Sequence, residues 1–391
     1  MEWKENQIQD VCRLINGRAY SNDEMLEHGK YKIVRVGNLS GGNSTWFYSD
    51  LELPADKYCH NGDLLFAWAC TFGPHIWKED NTIFHYHIWK IVEDKDVVDR
   101  RFFYYYLKFA TGGFLGALNG SVMVHITKSS MEKMIIRIPK KLEDQRRIAS
   151  ILSSLDRKIE LNNKINADLE EMAQAIFKNW FVDFEPFKNG KFVDSELGMI
   201  PEGWKVGTLK DLLYLRKDSI KAANKGNLPY LPIDTIPMHC LVATDFKSND
   251  EAKSSLQTFE QNDIVVGAMR VYFHRVILAP CKGITRTTCF VLSVKNENAL
   301  AYSLMQCNQD EAISFAEKTS KGSTMPYAVW DGGYGEYKVV IPPSEVMKSF
   351  NDLLSNFFSK MNKNAIENSR LSLLRDTLLP RLMSGELEVP E

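Results

Sequence analysis

The seven cysteines, at positions 12, 59, 70, 240, 281, 289 and 307, include no CxxC pair, so neither a zinc ribbon nor a disulfide framework is indicated. No run of about 18 apolar residues occurs, and the opening MEWKENQIQD has no apolar signal core. Neither a membrane span nor a leader is therefore expected, and the reducing cytoplasm is the expected compartment. Strong charge of either sign is also missing. Forty-eight Lys and Arg stand against 50 Asp and Glu, a net −2, whereas a protein that grips phosphates blindly needs a larger basic excess. There is no Asn/Asp-Pro-Pro-aromatic loop to hold a target amine and no glycine-rich cofactor loop, which argues against methyl transfer by this chain. Asp331 with Glu336-Tyr337-Lys338 fits a nuclease pattern only loosely, since acids before a strand are common by chance. His85 and His87 share the face of an expected strand but have no third ligand at suitable spacing, so no metal is expected.

Proline and glycine are missing from one long stretch, Leu142 to Phe184. Ile148, Leu152, Leu155, Ile159, Asn162, Asn166, Leu169, Ala173, Ile176 and Trp180 follow one another in steps of four and three, the seam of a helix packed along another helix. Unbroken, such a rod runs for roughly 60 Å at about 1.5 Å per residue. A shift of 202 residues lays the seam onto Phe350, Leu354, Phe357, Met361, Asn364, Asn368, Leu371, Arg375, Leu378 and Leu382, with Asn at the same two rungs. Gly120, Ser121 and Met123 fall on Gly322, Ser323 and Met325. At neighbouring shifts Trp3 falls on Trp204, and Asn61-Gly62-Asp63 falls on Gln261-Asn262-Asp263. The chain is one unit written twice.

The expected class is α+β: two globular mixed α/β domains and two long antiparallel helices, with a pseudo-twofold repeat. The first globular part is 1–141, the first helix 142–185, a polar linker 186–203, the second globular part 204–343, and the second helix with a tail 344–391. Strands are expected at Tyr31–Val36, Leu64–Ala69, Ile83–Val92, Val122–Ile126 and Met134–Ile138 in the first part. In the second they are expected at Leu231–Ile236, Asp263–Gly267, Val276–Ala279, Thr288–Val294 and Tyr337–Ile341. Short helices are expected at Arg101–Ala110 and Ala299–Cys307. Two tracts, Ile264–Asn296 and Arg100–Met131, contain basic residues and no acid, a pattern that suits an anionic partner or a solvated basic face.

Read together, EDQRRIASILSSLDRKIELNN, IFKNWFVDFEPF and SELGMIPEGWKVGTL resemble the first central region and second-domain entry of the specificity (S) subunit of type I restriction-modification enzymes. NGDLLFAW and FHYHIWKIV resemble parts of that family's first target-recognition domain, and GAMRVYFHRVILAP with GITRTTCFVL parts of a second. LLRDTLLPRLMSGEL resembles the second central region. The second rod departs from the pattern in opening with SEVMKSFNDLL and not with Gln-Arg-Arg.

The resemblance implies a non-catalytic, sequence-specific DNA-recognition subunit that reads a split, asymmetric duplex target. Two methyltransferase (M) subunits and restriction (R) subunits would be its partners, with no self-association required. No cofactor is expected in this chain; S-adenosylmethionine is expected in the methyltransferase. Arg pairs with guanine and amides with adenine, while Lys mostly meets phosphate. The candidate DNA contacts are Arg35, Asn38, Asn43, Trp68, His75 and Lys78 in the first part, and Arg270, Tyr272, His274, Arg275 and Arg286 in the second. Asn162, Asn166, Asn364 and Asn368 are candidate register-setting residues, because buried amides at seam positions disfavour slipped pairings. A twofold axis between the rungs pairs Asn162 with Asn368 and Asn166 with Asn364. Heptads alone also fit a scaffold of two adaptor domains for protein partners, or a fused enzyme with a degenerate active site.

Overall fold

The computed structural model describes residues 1–39, 44–69, 72–117, 126–243 and 246–389. It contains two compact units, Met1–Asp156 with Leu373–Glu391, and Arg157–Ser372. Two helices, Leu142–Phe181 and Ser344–Ser384, run through both, so each unit contains one stretch of each.

The first rod begins where Gln145, fully buried, takes a hydrogen bond from Asp99 N at 2.8 Å and donates to Val97 O and Pro139 O at 3.0 and 2.8 Å. The QRR motif thus fastens the first helical turn to the globular part. The rod ends at Phe181, and three residues on the chain turns away at Phe184, whose backbone is left-handed (φ 53°). At the end of the second rod Gly385 takes the same conformation (φ 78°), and a Cβ there would lie 2.8 Å from the Trp3 indole nitrogen. The repeated tryptophan, Trp204, packs edge-on against Phe184 and Phe187. In the first unit Leu379, Leu382 and Met383 of the second rod join a core with Ile148, Ala149 and Leu152 of the first. In the second unit Ala173, Phe177 and Phe181 meet Phe350, Leu354 and Phe358.

The repeat is equally plain in the sheets. The first unit pairs Trp3–Gln7 with Ile135–Pro139, and builds a four-stranded sheet in the order Cys12–Asn16, Ile88–Glu93, Leu64–Ala67, Gly73–Ile76. The second unit pairs Lys205–Thr208 with Lys338–Ile341, and orders Leu213–Leu215, Cys289–Val294, Ile264–Gly267, Val276–Leu278 in the same way. The turn before the third strand is also shared. Gly62 (φ 88°) and Asn262 (φ 70°) supply a left-handed residue, and the next Asp accepts from the backbone N–H three residues earlier, at 2.9 Å from His60 and 2.7 Å from Glu260. Glycine and asparagine are the residues that tolerate this conformation.

Several local expectations are corrected. Ile83–Val92 is two strands, Thr82–Phe84 and Ile88–Glu93, in different sheets, because the chain turns at His85–His87. Leu231–Ile236 is no strand but carries a 3-10 turn at Ile233–Thr235, since Pro232 cannot donate to a ladder. The first short helix reaches from Arg100 to Ala117, and the second is Leu300–Cys307, followed by a further helix at Asp310–Lys318. The linker is folded: Phe192–Ser195 and Gly198–Pro201 form a hairpin. Most of Val122–Ile126 lies outside the described residues. Among the described residues no helix is long and apolar enough to cross a membrane.

Candidate nucleic-acid interface

In each unit two neighbouring connections are tied together by the same backbone bond. Trp68 N donates to His87 O at 3.1 Å, and at the equivalent place Ala268 N donates to Thr288 O at 2.9 Å. One connection follows the third sheet strand, and the other leads into the second. The fold therefore presents two matching pairs of loops, with unlike side chains on them.

In the first unit Trp68 donates its indole N–H to Tyr86 O at 2.9 Å, stacks over Trp89 at 5.8 Å and meets the His87 ring edge-on at 5.0 Å. Tyr86 beside it is exposed. His85 is held neutral, its pKa lowered to about 4 by burial and then by His87 and Arg35. Burial also lowers His87. His85 and His87, 5.1 Å apart at the ring centroids, therefore offer neutral imidazoles that both donate and accept.

Arg35 and Asn38 have internal tasks. Arg35 N donates to Asn38 Oδ1 at 3.0 Å, Arg35 Nη2 to Thr45 O at 2.9 Å, and Asn38 Nδ2 to Ser44 O at 3.2 Å. They clasp the ends of a loop. Asn43, in that loop, lies outside the described residues. His75 is half-buried in its strand, its pKa lowered by burial and by Lys108, and Lys78 is exposed just beyond that strand.

In the second unit the loop after Ile264–Gly267 is a single 3-10 turn, Val271–Phe273, bracketed by two left-handed residues, Arg270 (φ 50°) and His274 (φ 48°). Val271 is buried and anchors the turn, while Arg270 and Tyr272 are exposed. Arg270 N donates to Pro326 O at 2.8 Å, so the segment Lys321–Tyr327 joins the face, with Met325 and Tyr327 exposed on it. Arg286 is exposed at the end of the strand Gly283–Arg286. A cleft of about 500 Å³ lined by Met269, Thr287, Thr288, Phe290, Tyr327 and Trp330 lies at these loops.

The structure therefore brings Arg270 and Tyr272 together on one turn and turns two other candidates inward. His274 is only 5% exposed, its ring between Asn308 and Asp310. Arg275 donates to Ile233 O and lies over the Phe273 ring at 5.2 Å. Tyr86, Met325 and Tyr327 are exposed on these same faces but were not among the candidates picked from sequence; the Gly322-Ser323-Met325 repeat marks the segment of the last two. Asp331 and Glu336 share Lys210, at 2.8 and 2.6 Å, while Lys338 binds Glu196, so the lysine of the nuclease-like trio is paired away from its two acids.

On the rods, Asn162 Nδ2 donates to Asn368 Oδ1 at 2.9 Å, and Asn364 Nδ2 to Asn166 Oδ1 at 2.8 Å. All four amides are buried. Asn368 Nδ2 also donates to Asn163 Oδ1 at 2.7 Å, Asn162 Nδ2 to Glu367 at 2.8 Å, and Asn166 Nδ2 to Met361 O at 3.3 Å. In the same antiparallel register Trp180 and Phe350 meet at 5.7 Å.

The family model described as type I restriction modification DNA specificity domain matches residues 1–171. The specificity subunit of type I restriction enzyme MjaIX from Methanocaldococcus jannaschii is 30% identical over 76% of this chain and 71% of its own length. That of HindI from Haemophilus influenzae is 23% identical over 99% of this chain and all of its own. The crystal structure of a type I restriction-modification S subunit from M. genitalium shares the fold, with a TM-score of 0.59 at 16% identity, over 97% of this chain and 96% of that one. With a family relative matched over most of both chains, and with the fold shared end to end, the chain belongs to the specificity subunits of type I restriction-modification enzymes.

Proposed function

We propose that each unit reads one half of a split, asymmetric duplex target through its paired connections, and that the chain itself catalyses nothing. The observation that carries this reading is the matched loop pair with different chemistry in each copy: Trp68, Tyr86 and His87 in one, Arg270, Tyr272 and Arg286 in the other. One fold repeated with one set of readers would select two like half-sites; unlike readers select an asymmetric one. Exposed Arg270 and Arg286 suit bidentate contact with guanine or a phosphate, and neutral His85 and His87 suit base edges. Two methyltransferase subunits carrying S-adenosylmethionine would supply modification, and restriction subunits would join that core in the cytoplasm. The paired rods would hold the two readers at a fixed spacing.

The test replaces residues 204–343 with the equivalent part of a relative and maps methylation in the presence of the partner methyltransferase. One half of the methylated sequence changes and the other is kept. A change in both halves, or methyl transfer by the chain alone, overturns the reading.

A further inference from the structure

Two histidines of the second unit, His239 and His274, both have left-handed backbones, φ 51° and 48°. Such conformations are costly for residues other than glycine and persist where the surroundings enforce them. They lock onto each other: His239 N donates to His274 O at 2.8 Å, and the rings lie 4.6 Å apart. Asp310, the first residue of the helix Asp310–Lys318, brings Oδ1 to 3.0 Å from His274 Nδ1. One ligand atom from each of the three residues lies within 4.8 Å of the others.

The hydrogen bonding of His274 leaves a charge to be found. Its Nε2 lies 3.1 Å from Asn308 O and 3.0 Å from Asn308 Oδ1, and its Nδ1 faces the Asp310 carboxylate. Both nitrogens of a nearly buried ring thus face oxygen acceptors, yet a neutral imidazole donates from only one. With Nε2–H given to Asn308, the Nδ1 lone pair opposes the Asp310 carboxylate, a pairing that a bound cation between them would satisfy. His239 places a second imidazole beside the first and so completes a three-residue ligand set for a metal. The Asn308 oxygens on the far nitrogen make the outer hydrogen bond that fixes the tautomer of metal-bound histidines.

We propose that His239, His274 and Asp310 bind one divalent transition metal of the zinc class. Bonds of about 2.1 Å in a tetrahedron place ligand atoms about 3.4 Å apart. The His274–Asp310 separation, 3.0 Å, is already near that, and exposed His239, within 4.8 Å of both, has at most about 1.4 Å to close. The fourth position opens on a cavity of about 790 Å³ lined by Gln306, Gln309, Glu311, Tyr337 and Lys338. The ion joins three separate segments of the unit. One of them ends the turn carrying Arg270 and Tyr272, so the metal pins that turn; this last step rests on the DNA-reading role proposed above.

The full chain, stripped with chelator, is titrated with Co²⁺. One equivalent binds with the visible absorption of four-coordinate cobalt, Zn²⁺ displaces it, and Zn²⁺ raises the melting temperature. His239→Ala and Asp310→Asn alter exposed side chains, keep the circular dichroism spectrum, and weaken Co²⁺ binding at least tenfold. No cobalt spectrum, or unchanged affinity in both variants, overturns the site. Full cobalt binding with base discrimination unaffected by chelation keeps the site and overturns only its link to reading.

Discussion

Replacing one member of the Asn166–Asn364 pair by leucine isolates what the seam amides contribute. Asn364 Nδ2 donates to Asn166 Oδ1 at 2.8 Å, and both side chains are nearly inaccessible, at 1% and 5%. Asn364→Leu strands the Asn166 carbonyl in an apolar seam, and a buried group left without its partner costs about 1–3 kcal/mol. The loss is moderated by the bond that Asn166 Nδ2 keeps to Met361 O at 3.3 Å, so about 2 kcal/mol is the expected cost. For a unit of this size 1 kcal/mol corresponds to about 2–4 °C, giving a drop of about 4–8 °C. The double variant Asn166→Leu/Asn364→Leu removes both polar groups and packs leucine on leucine, so its melting temperature returns to the wild-type value or exceeds it. Calorimetry on the four proteins then yields a coupling of about 1–3 kcal/mol. Single variants as stable as wild type, or a double variant whose losses simply add, would refute the idea that these amides act as a mutually satisfied pair.

Arg270→Ala removes an exposed arginine from a turn whose conformation rests on buried Val271, so it weakens binding without unfolding. If Arg270 meets a guanine, competition with single-base variants of the target shows a loss of about 1–3 kcal/mol at one position only. In the first unit Asp156 accepts from Tyr105 Oη at 2.6 Å and from Arg375 at 2.8 Å; Asp156→Ala strands the Tyr105 hydroxyl and leaves Arg375 only its bond to Asp376 at 2.8 Å, a loss of about 1.5–3 kcal/mol by urea unfolding. Stability of the first unit also depends on His85. Its folded pKa, about 4, lies below that of the unfolded chain, so the unfolded state takes up the proton first and stability falls as pH drops from about 6.5 towards 4. His85→Gln flattens that dependence in denaturation midpoints compared at pH 7 and pH 5.

The rods and the repeat were legible because each rests on a long-range regularity: a seam period kept over ten rungs, and two asparagines at matching rungs. The equivalent left-handed turns at Gly62 and Asn262 were visible as a repeated Asp even though glycine had become asparagine. The candidate DNA-contact loops were harder, because residue type does not say which way a side chain faces. His274 and Arg270 lie four residues apart on one turn, yet one is exposed and the other sealed by Asn308 and Asp310, some 35 residues on, with no local sign of that contact. Strand ends failed where a turn lay inside an apolar run, as at His85–His87. The hairpin at Phe192–Pro201 was hidden because its glycines and prolines resemble those of a linker.

Whether the rods set the spacing of the two half-sites is decided by lengthening them without touching either unit's contacts. The boundary between the units falls between Asp156 and Arg157 on one helix and between Ser372 and Leu373 on the other, so insertions there leave the Asn162–Asn368 and Asp156–Arg375 contacts in place. One heptad per helix keeps the seam in phase and adds about 10 Å. On DNA that length is about three base pairs at about 3.4 Å each, but three base pairs also turn the groove through about 100°. Translation and rotation then disagree, and the one-heptad variant, with its partner methyltransferase, binds every gap length worse than wild type. Three heptads per helix add about 31 Å, close to the ~34 Å of a full DNA turn. Face and distance agree again, and selection from a library of gap lengths recovers a gap longer by about nine or ten base pairs. An unchanged preferred gap in the three-heptad variant would show that DNA bending or the partner subunits, and not the rods, fix the spacing.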